Sequence, residues 1–478
     1  MAPHVPERDP LPGRPGADGR YDTTGRTPYV TSPRSFPRRN SGSAMTTSSP
    51  VSLEPQGTGL TPQQRKAIIA GTIGNTVEWV DWALYSIFAK IIADVFFPSS
   101  NGAAALLSTL AVFAIGFVMR PVGAAVLGAY ADRHGRKKGL TLTIGLMAGA
   151  GFVIALTPGY ATIGIAAPII LLVARLTQGF SAGGEFGSSS AFLVENAGRG
   201  RRAFAGSWQQ VSVAGGVLIA SLLGTLFTSV LSDSALHSWG WRVAFGIGGL
   251  LGLIGLWLRV TVEDTESFAR AQHEQRAKKN PLKAMIVEHP RAALRVAGIT
   301  IAGTLTYYIW VNYLPTYANV TTGIPLNQAL LSQTLCLVVF IVLLPFAGLL
   351  SDRFGRRPTM IAFAGGFVVL AWPLLHLLDG GFWNLFVIQL VGMLLILGYS
   401  ANCAVIMAEQ FPAEVRATGI ALPYALAVAV FGGTAPYFIT WLNDVGLRDM
   451  LWLYVSVAAL VSLVVYFLMP ETKDKEFS

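Results

Sequence analysis

Five charged residues lie inside stretches of sequence that are otherwise apolar. They are Glu78, Asp81, Arg120, Arg175 and Glu185, and all five fall in the first half of the 478-residue chain. A charge deep in a membrane-spanning helix is costly unless it faces the interior of a helix bundle or a water-filled cavity. Each of these residues is therefore a candidate for a functional role.

Proton transfer is one chemistry that these charges support. Three carboxylates against two guanidinium groups leave one carboxylate without a full partner, and such a group can take up and release a proton during a reaction cycle. Glu78 and Asp81 are the first candidates for proton coupling, and Glu185 is the third. The alternative is that the carboxylates pair with Arg120 or Arg175 only to hold helices together.

Anion binding is a second chemistry, because an arginine fork remains charged and matches the geometry of a carboxylate. Two such forks favour a small organic anion. One face of the first apolar run carries the polar and aromatic residues Asn75, Glu78, Trp82 and Tyr85. In the second half, Tyr308 and Asn312 lie four positions apart and so share a helix face. The predicted substrate cage comprises Arg120, Arg175, Asn75, Trp82, Tyr85, Tyr308 and Asn312. Packing is the alternative role for the tyrosines.

The elements that position these residues are predicted to be membrane-spanning helices. The chain is 52% hydrophobic and 13% charged, with a mean hydropathy of +0.52, which indicates an integral membrane protein. A spanning helix needs about 20 mostly apolar residues. Twelve such runs occur, at approximately 66–93, 104–130, 139–157, 163–192, 205–231, 242–260, 293–318, 327–350, 358–377, 382–407, 416–441 and 450–469. The predicted fold is an all-α membrane protein with two six-helix repeats.

A repeated loop supports this division. The segment around Asp132 recurs 220 positions later around Asp352. Glu195 followed by Arg202 recurs as Glu409 followed by Arg416. The Asp lies at the end of one helix, close to the start of the next, where it can accept hydrogen bonds. The neighbouring Arg residues can pair with it. Parallel repeats that rock about a shared site give alternating access in transporters. The predicted conformational latch comprises Gly128, Asp132, Arg133, Gly135, Arg136, Asp352, Arg353, Gly355, Arg356, Glu195, Arg202, Glu409 and Arg416.

The basic residues fix a predicted orientation. The net charge of +9 comes largely from Lys and Arg in alternate loops, which indicates the cytoplasmic side of a cell membrane and not a nucleic-acid surface. Both termini are predicted to be cytoplasmic. The predicted organisation is a disordered extension over 1–64, bundles over 65–260 and 292–470 around a cytoplasmic loop over 261–291, and a tail over 471–478.

Several motifs resemble one known family, the metabolite:H⁺ symporters of the major facilitator superfamily. They include the repeated loop, Gly116-Phe-Val-Met-Arg120-Pro121-Val-Gly123, Arg175-Leu-Thr-Gln178-Gly179, Gly240-Trp241-Arg242 and Glu409-Gln-Phe411-Pro412. That family includes permeases for α-ketoglutarate, citrate, shikimate, proline and betaine. The resemblance implies proton-coupled uptake of a small organic anion by a monomer without a cofactor, and it adds Gln178 to the substrate site.

Other functions are less well supported by the sequence. Uptake of a zwitterionic osmolyte such as proline or betaine stays open as the main alternative. Drug antiporters of this superfamily usually carry a Gly-Pro motif in the fifth helix. The fifth predicted helix of this chain has Gly215-Gly216 but no Pro, so a drug antiporter is disfavoured. An enzyme is disfavoured because no nucleophile motif or metal-ligand cluster occurs. Cys336 and Cys403 lie in apolar runs and are predicted to be buried packing residues.

Overall fold

The computed structural model describes residues 62–473, apart from 135, 184–185, 188–189, 191–192, 195–196, 198–199, 262–280 and 413–414. Side chains are described from residue 75 onward, apart from those gaps and positions 128–129, 131–137, 140 and 258–284. The predicted sites at Gly128, Asp132, Arg133, Gly135, Arg136, Glu185 and Glu195 therefore lie outside the residues whose side chains are described.

Six helices form the N-terminal half of the described chain. They are α1 (Pro62–Ile87, continued by Ala89–Phe96), α2 (Gly102–His134), α3 (Arg136–Leu156), α4 (Ala166–Ala182), α5 (Arg202–Val230) and α6 (Trp241–Thr261). Short helical turns over Tyr160–Ile163 and Asp233–Ala235 and a π-helical turn over Leu236–Gly240 lie in the connections.

Six more helices form the C-terminal half, after a short helix over Pro281–Glu288. They are α7 (Pro290–Thr322), α8 (Leu326–Phe354), α9 (Arg356–His376), α10 (Phe382–Ser400, continued by Cys403–Ala408), α11 (Arg416–Asp444) and α12 (Leu451–Leu468). Two of these helices contain π-helical turns, over Tyr307–Tyr313 in α7 and over Val428–Gly433 in α11. The described residues contain no strand.

Local signals begin and end several helices. The Asn101 side chain accepts a hydrogen bond of 2.9 Å from the Ala103 backbone N–H and so caps the start of α2. Gly323 has a φ of 76° and ends α7 in the left-handed conformation. Gly355, with a φ of 109°, separates α8 from α9. Because a side chain is strained at such angles, these glycines mark the turns.

The described helices are long and apolar enough for a bilayer. Nine of them carry windows of spanning length and hydropathy, and the apolar segments Thr141–Leu156 and Ala166–Ala182 are shorter. Many large apolar side chains are exposed on the outer surface, such as Leu226, Trp257, Phe346 and Val369, as expected for helices that face lipid. The helices α2 and α8 also extend past the predicted apolar runs into the repeated loops.

Helix packing repeats between the two halves. In the N-terminal half α1 packs on α5 and α6, α2 on α4, and α3 on α4 and α6. In the C-terminal half α7 packs on α11 and α12, α8 on α10, and α9 on α10 and α12. The halves meet where α5 packs on α8 and where α2 packs on α11. Each pairing is reproduced when six is added to the helix number, so the sequence repeat is a structural repeat.

Candidate functional site

Arg120 lies at the boundary between the two halves, on α2. Its guanidinium carbon lies 4.2 Å from the ring centroid of Phe117, 4.7 Å from that of Trp82 and 5.8 Å from that of Trp79. The residue is 6% exposed, and its Nε and Nη2 atoms are buried with no hydrogen-bond partner among the described residues. Stacking on aromatic rings therefore holds a guanidinium that still has N–H donors to offer.

The opposite half supplies tyrosines to the same place. Tyr308 of α7 packs edge-to-face on Phe117 at 5.3 Å, and its hydroxyl lies within electrostatic range of Arg120 and Glu78. Tyr424 of α11 also lies within electrostatic range of Arg120 and Tyr308. We call Arg120, Trp79, Trp82, Phe117, Tyr308 and Tyr424 the central cluster. It joins α1, α2, α7 and α11, so its geometry depends on how the halves sit against each other.

Glycines bring these helices close enough for the contacts to form. A Cβ added at Gly216 of α5 would lie 2.7 Å from the Trp79 Cβ, and one added at Gly432 of α11 would lie 2.7 Å from the Tyr308 ring. Gly216 and Gly432 belong to the glycine pairs that recur in the two halves. Small residues at helix interfaces allow close approach in membrane proteins. The repeat therefore places one aromatic residue from each half beside the centre.

Asp81, Arg175 and Gln178 form a second group, the Asp81 cluster, inside the N-terminal half. The Gln178 Nε2 atom donates to the Asp81 Oδ2 atom, and Arg175 lies within electrostatic range of Asp81. The three guanidinium nitrogens of Arg175 are buried and have no hydrogen-bond partner among the described residues. Arg175 is fully buried, with its guanidinium carbon 3.8 Å from the Tyr85 ring centroid and 5.5 Å from that of Trp82. The two arginines predicted to share one anion site thus lie in different surroundings. Arg175 lies near Asp81 inside the N-terminal half, whereas Arg120 faces the other half.

The remaining predicted cage residues occupy several environments. Tyr85 donates its hydroxyl to the Thr109 carbonyl oxygen at 2.9 Å, and Asn75 donates to the Ser212 hydroxyl at 2.6 Å. Asn312 is buried, and its backbone carbonyl accepts a hydrogen bond of 3.2 Å from the Ser86 hydroxyl across the two halves. Tyr85 and Asn75 therefore use their polar atoms within the N-terminal half, whereas Trp82 and Tyr308 join Arg120.

The second copy of the repeated loop builds a polar network at one end of the bundle. The Asp352 carboxylate accepts hydrogen bonds from the Ala203 and Phe204 backbone N–H groups, at 3.0 and 2.9 Å, at the start of α5. The Arg356 guanidinium donates to Asp352 at 2.9 Å. A Cβ at Gly348 would lie 2.8 Å from the Ala203 carbonyl oxygen, so glycine is required there for this approach. The carboxylate therefore caps a helix of the other half.

Glu409 extends this network to α10 and to the residues after α12. Its carboxylate lies 3.5 Å from Arg356 and 3.8 Å from Arg202, and it accepts a hydrogen bond from the Thr472 hydroxyl. Burial raises the pKa of Glu409 above its ordinary value, against the opposing effect of Arg356, Thr472 and Arg202. We call Asp352, Arg356, Arg202, Glu409 and Thr472 the basic-end cluster, after the basic loops at this end.

Three other predicted latch residues lie around this cluster. Arg416 donates through Nε to the backbone oxygens of Ala408 and Phe411, at 3.1 and 3.3 Å, and so ties the start of α11 to the end of α10. The Arg353 guanidinium lies 5.5 Å from the Phe354 ring centroid and contributes only its backbone oxygen to a described hydrogen bond, from Lys473. Gly355 forms the turn.

Glu471 is a residue of this region that the sequence did not single out. Its carboxylate accepts hydrogen bonds from the Arg356 and Arg357 backbone N–H groups, at 3.0 and 2.9 Å, and so caps α9. Partial burial raises the pKa of Glu471, but the backbone N–H donors of Arg356, Arg357, Lys473 and Thr472 outweigh it, so the pKa lies below its ordinary value. The predicted tail therefore begins with residues that bind the repeated loop.

Comparison with known proteins decides the family. The sequence profile described as Major Facilitator Superfamily matches residues 71–427 and 331–478. The chain belongs to the major facilitator superfamily. It is 39% identical over 403 residues to the alpha-ketoglutarate permease of Escherichia coli, covering 84% of this chain and 92% of that protein. It is 37% identical to a citrate-proton symporter of Klebsiella pneumoniae, covering 83% and 90%.

Other members of the superfamily broaden the comparison. A proline/betaine transporter of Escherichia coli is 33% identical, with 86% of this chain and 84% of that protein covered. The xylose transporter XylE from E. coli, in a partially occluded inward open conformation, matches with a TM-score of 0.66 at 21% identity, covering 86% and 99%. The facilitator fold with twelve helices in two six-helix repeats is therefore established. The protein is a multi-pass membrane transporter, not an enzyme.

Some residues of this facilitator's central region gave only a weak sequence signal. Trp79 fits an aromatic belt at a membrane interface, yet it is 6% exposed and packs on Tyr307 and Tyr308. Phe186 stacks on Tyr424 with ring centroids 3.8 Å apart. The π-helical turns of α7 and α11, which contain Tyr308 and Gly432, have no obvious sequence signature. Such turns often occur at functional sites.

Proposed function

We propose that this protein imports a small organic anion together with protons, with the anion bound by Arg120. The observation that carries the proposal is a buried guanidinium with unpartnered N–H donors at the contact between the halves. A fork of this kind binds a carboxylate through two charge-assisted hydrogen bonds. Tyr308 and Tyr424 of the other half then complete the site with hydroxyl groups. The likeness to the alpha-ketoglutarate permease and the citrate-proton symporters supports a di- or tricarboxylate as substrate. Shikimate is the third acid that the sequence motifs leave open.

Asp81 is the proposed proton carrier. Its carboxylate is buried beside Arg175 and bonded to Gln178, within the N-terminal half. Protonation removes its charge and leaves Arg175 without a counter-charge, so the helix contacts of α1 and α4 change with each proton. Glu78 acts electrostatically on Tyr308 and couples to the substrate side. In this scheme Arg175 holds Asp81 and Arg120 holds the substrate. Glu185 remains a third predicted carboxylate.

The basic-end cluster is the proposed latch of alternating access. Its contacts join α5 of one half to α8 and α10 of the other, so they must break when the halves separate at this end. At the opposite end Ser86 and Thr316 exchange hydrogen bonds with the backbone between α1 and α7, at 3.2 and 3.1 Å. Opening one end while the other stays closed exposes the central cluster to each side in turn.

The proposed orientation places the basic end and both termini in the cytoplasm, with the protein in the lipid bilayer of the cell membrane. The support is the distribution of Lys and Arg among the loops. The two bundles act as the rocking units around the central loop over 261–291, and a monomer is sufficient because the central cluster lies within one chain.

A zwitterionic osmolyte such as betaine or proline is the second candidate. Aromatic cages bind quaternary ammonium groups, and Trp79, Trp82 and Phe117 form an aromatic surface of that type. The proline/betaine transporter is also a relative. However, the Arg120 guanidinium already packs against these rings, and its positive charge repels a cation. The arrangement therefore favours an acid over an osmolyte.

Uptake into proteoliposomes tests the proposed function. Labelled α-ketoglutarate, citrate, shikimate and betaine are each offered with an inward proton gradient, with and without a protonophore. We expect accumulation of at least one of the acids that the protonophore abolishes. Betaine accumulation without acid uptake would establish the second candidate instead. Asp81→Asn is expected to abolish gradient-driven accumulation, while Asp379→Asn, in the exposed turn before α10, should behave as wild type.

A further inference from the structure

The two oxygens of the Asp81 carboxylate have different surroundings. Oδ2 accepts the hydrogen bond from Gln178, whereas Oδ1 is buried with no hydrogen-bond partner among the described residues. Arg175 faces the carboxylate from α4 as its charged neighbour, and Asp81 itself is 4% exposed. Burying a carboxylate oxygen without a hydrogen-bond donor costs free energy. A water molecule that donates to Oδ1 would remove that cost.

Glycines leave room beside this oxygen on two neighbouring helices. A Cβ added at Gly151 of α3 would lie 3.4 Å from both Oδ1 and Oδ2, and one added at Gly248 of α6 would lie 3.4 Å from Oδ1. A distance of 3.4 Å is ordinary van der Waals contact. At both positions glycine therefore leaves unfilled the space that the side chain of any other residue would occupy beside the Asp81 carboxylate. Gly151 and Gly248 therefore face the Asp81 carboxylate from α3 and α6.

A cavity lies about one helical turn from Gly151 and Gly248, toward the basic end. It is lined by Val77 and Glu78 of α1, Thr143, Ile144 and Met147 of α3, Ser181 of α4, and Gly252 and Gly255 of α6. Thr143 is seven residues from the start of α3 at Arg136 and thirteen from its end at Leu156, which places the cavity nearer the basic end.

On each of the four helices, a residue that lines the cavity lies three or four positions from Asp81 or from a residue that contacts it. Asp81 follows Val77 by four residues, Gly151 follows Met147 by four, Gly248 precedes Gly252 by four, and Gln178 precedes Ser181 by three. The helices α1 and α3 run away from the basic end, and α4 and α6 run back toward it. Each helix therefore passes from the cavity to the Asp81 cluster in a single turn, about 5 Å.

The Trp82 ring lies beside both the central cluster and the Asp81 cluster. The Trp82 side chain lies within 4.7 Å of the Arg120 guanidinium and 5.5 Å of that of Arg175, measured to its ring centroid. Trp82 is 1% exposed, and its ring adjoins both Arg175 of the Asp81 cluster and Arg120 of the proposed anion site. A proton on Oδ1 thus has a short path into the cavity and an aromatic ring toward the substrate.

We infer that Asp81 releases its proton to the cytoplasm through this cavity within the N-terminal half, and not through the substrate pathway between the halves. The step transfers the Oδ1 proton to a water molecule that enters from the cavity, and it leaves a carboxylate within electrostatic range of the Arg175 positive charge. The hydrated proton then leaves through the cavity toward the basic end. The inference rests on the proposed function, and it adds a route for the proton that is separate from the route of the anion.

Single methyl groups test the route. Gly151→Ala and Gly248→Ala, alone and together, place a methyl against Oδ1 without a severe clash. Gly149→Ala and Gly246→Ala are matched controls on the same two helices, because nothing lies within 4 Å of a Cβ added there. All four changes replace a helical glycine by alanine and so have similar effects on helix propensity. Two rates are measured in proteoliposomes, proton-gradient-driven uptake and gradient-free exchange of labelled α-ketoglutarate.

We expect the Gly151→Ala/Gly248→Ala double variant to lose about tenfold in gradient-driven uptake, because Oδ1 loses access to a hydrogen-bonded water, with exchange within about twofold of wild type. Both controls should match wild type in both rates. Equal driven rates in the double variant and the controls would overturn the inference, as would a parallel loss of exchange, which would indicate packing alone. A wild-type protein without proton stimulation would instead overturn the proposed function.

A cysteine in the cavity provides a second measurement. Met147→Cys is treated from the cytoplasmic side with a small cationic methanethiosulfonate, and the natural Cys336 and Cys403 are buried. We expect modification that saturating α-ketoglutarate does not prevent. Protection by α-ketoglutarate, or no modification from that side, would contradict a separate path.

Discussion

The Asp352 carboxylate of α8 accepts a hydrogen bond of 2.9 Å from the Phe204 backbone N–H of α5. A second bond, from the Ala203 N–H at 3.0 Å, makes the carboxylate a cap on the first turn of that helix. Because α5 and α8 belong to different halves, a residue of the sequence repeat spans the contact that alternating access has to break. The favourable interaction of the helix dipole with the carboxylate therefore stabilises the state closed at the basic end.

Asp352→Asn should destabilise that closed state. The substitution removes the charge from a cap that is 7% exposed, which costs roughly 1–2 kcal/mol and shifts the equilibrium between conformations about tenfold. We expect a marked loss of uptake and faster alkylation of a reporter cysteine placed near the start of α5. Asp379→Asn, the same change in the exposed turn before α10, is the matched control, and its uptake should stay within about twofold of wild type. Equal effects of the two variants would contradict a specific role for the cap.

Arg120→Lys should weaken substrate binding. Lysine keeps the positive charge but loses the planar fork and its stacking on Phe117 and Trp82. The loss of one charge-assisted hydrogen bond corresponds to roughly 1.5–3 kcal/mol, which raises the KM for the transported acid about ten- to hundredfold. The measurement is initial uptake against substrate concentration. Arg291→Lys, at the exposed start of α7, is the control, and an unchanged KM in Arg120→Lys would remove Arg120 from the binding site.

Gly432→Ala should displace Tyr308. The added Cβ would lie 2.5 Å from the Thr304 hydroxyl oxygen and 2.7 Å from the Tyr308 ring, so the tyrosine must move. Overpacking of this kind costs typically about 1–3 kcal/mol. We expect a raised KM, visible in the same uptake assay, and a lower melting temperature in detergent. Gly365→Ala on α9 has nothing within 4 Å of its added Cβ and serves as the control. If both variants bind substrate as wild type does, the position of Tyr308 is not critical.

Glu471→Gln should change the dependence of stability on pH. The pKa of Glu471 lies below its ordinary value of 4.5 in the folded protein, so the folded state binds fewer protons at Glu471 than the unfolded state. Its contribution is therefore present above about pH 4.5 and is lost as the pH falls through the lowered folded pKa. Melting temperatures measured from neutral pH down to about pH 3.5 should fall less steeply for Glu471→Gln than for wild type. Asp444→Asn, at the exposed end of α11, should keep the wild-type slope, and identical slopes in all three proteins would contradict the capping role.

The sequence by itself determined the class and the repeat. Hydropathy and charge are summed over about 20 residues, and a charge such as Arg120 in an apolar run is unusual wherever the helix is placed, so these signals do not depend on tertiary contacts. The duplicated loop predicted an Asp close to the start of the next helix along the chain. The structure instead places the Asp352 carboxylate at the start of α5, in the other half. The boundaries of α5 and α8 differ from the predicted runs by only a few residues.

Only the tertiary structure decided which residues meet. Arg120 and Arg175 carry the same charge, and both lie in apolar runs of sequence. Arg120 nevertheless lies beside Tyr308 of the other half, whereas Arg175 lies within electrostatic range of Asp81 in its own half. Their division depends on the rotation and crossing of helices, which glycine contacts such as that of Gly432 with Tyr308 determine. Glu471 lies over a hundred residues from the α9 turn that it caps. Such contacts depend on the packing of distant segments, which local hydropathy and spacing do not encode.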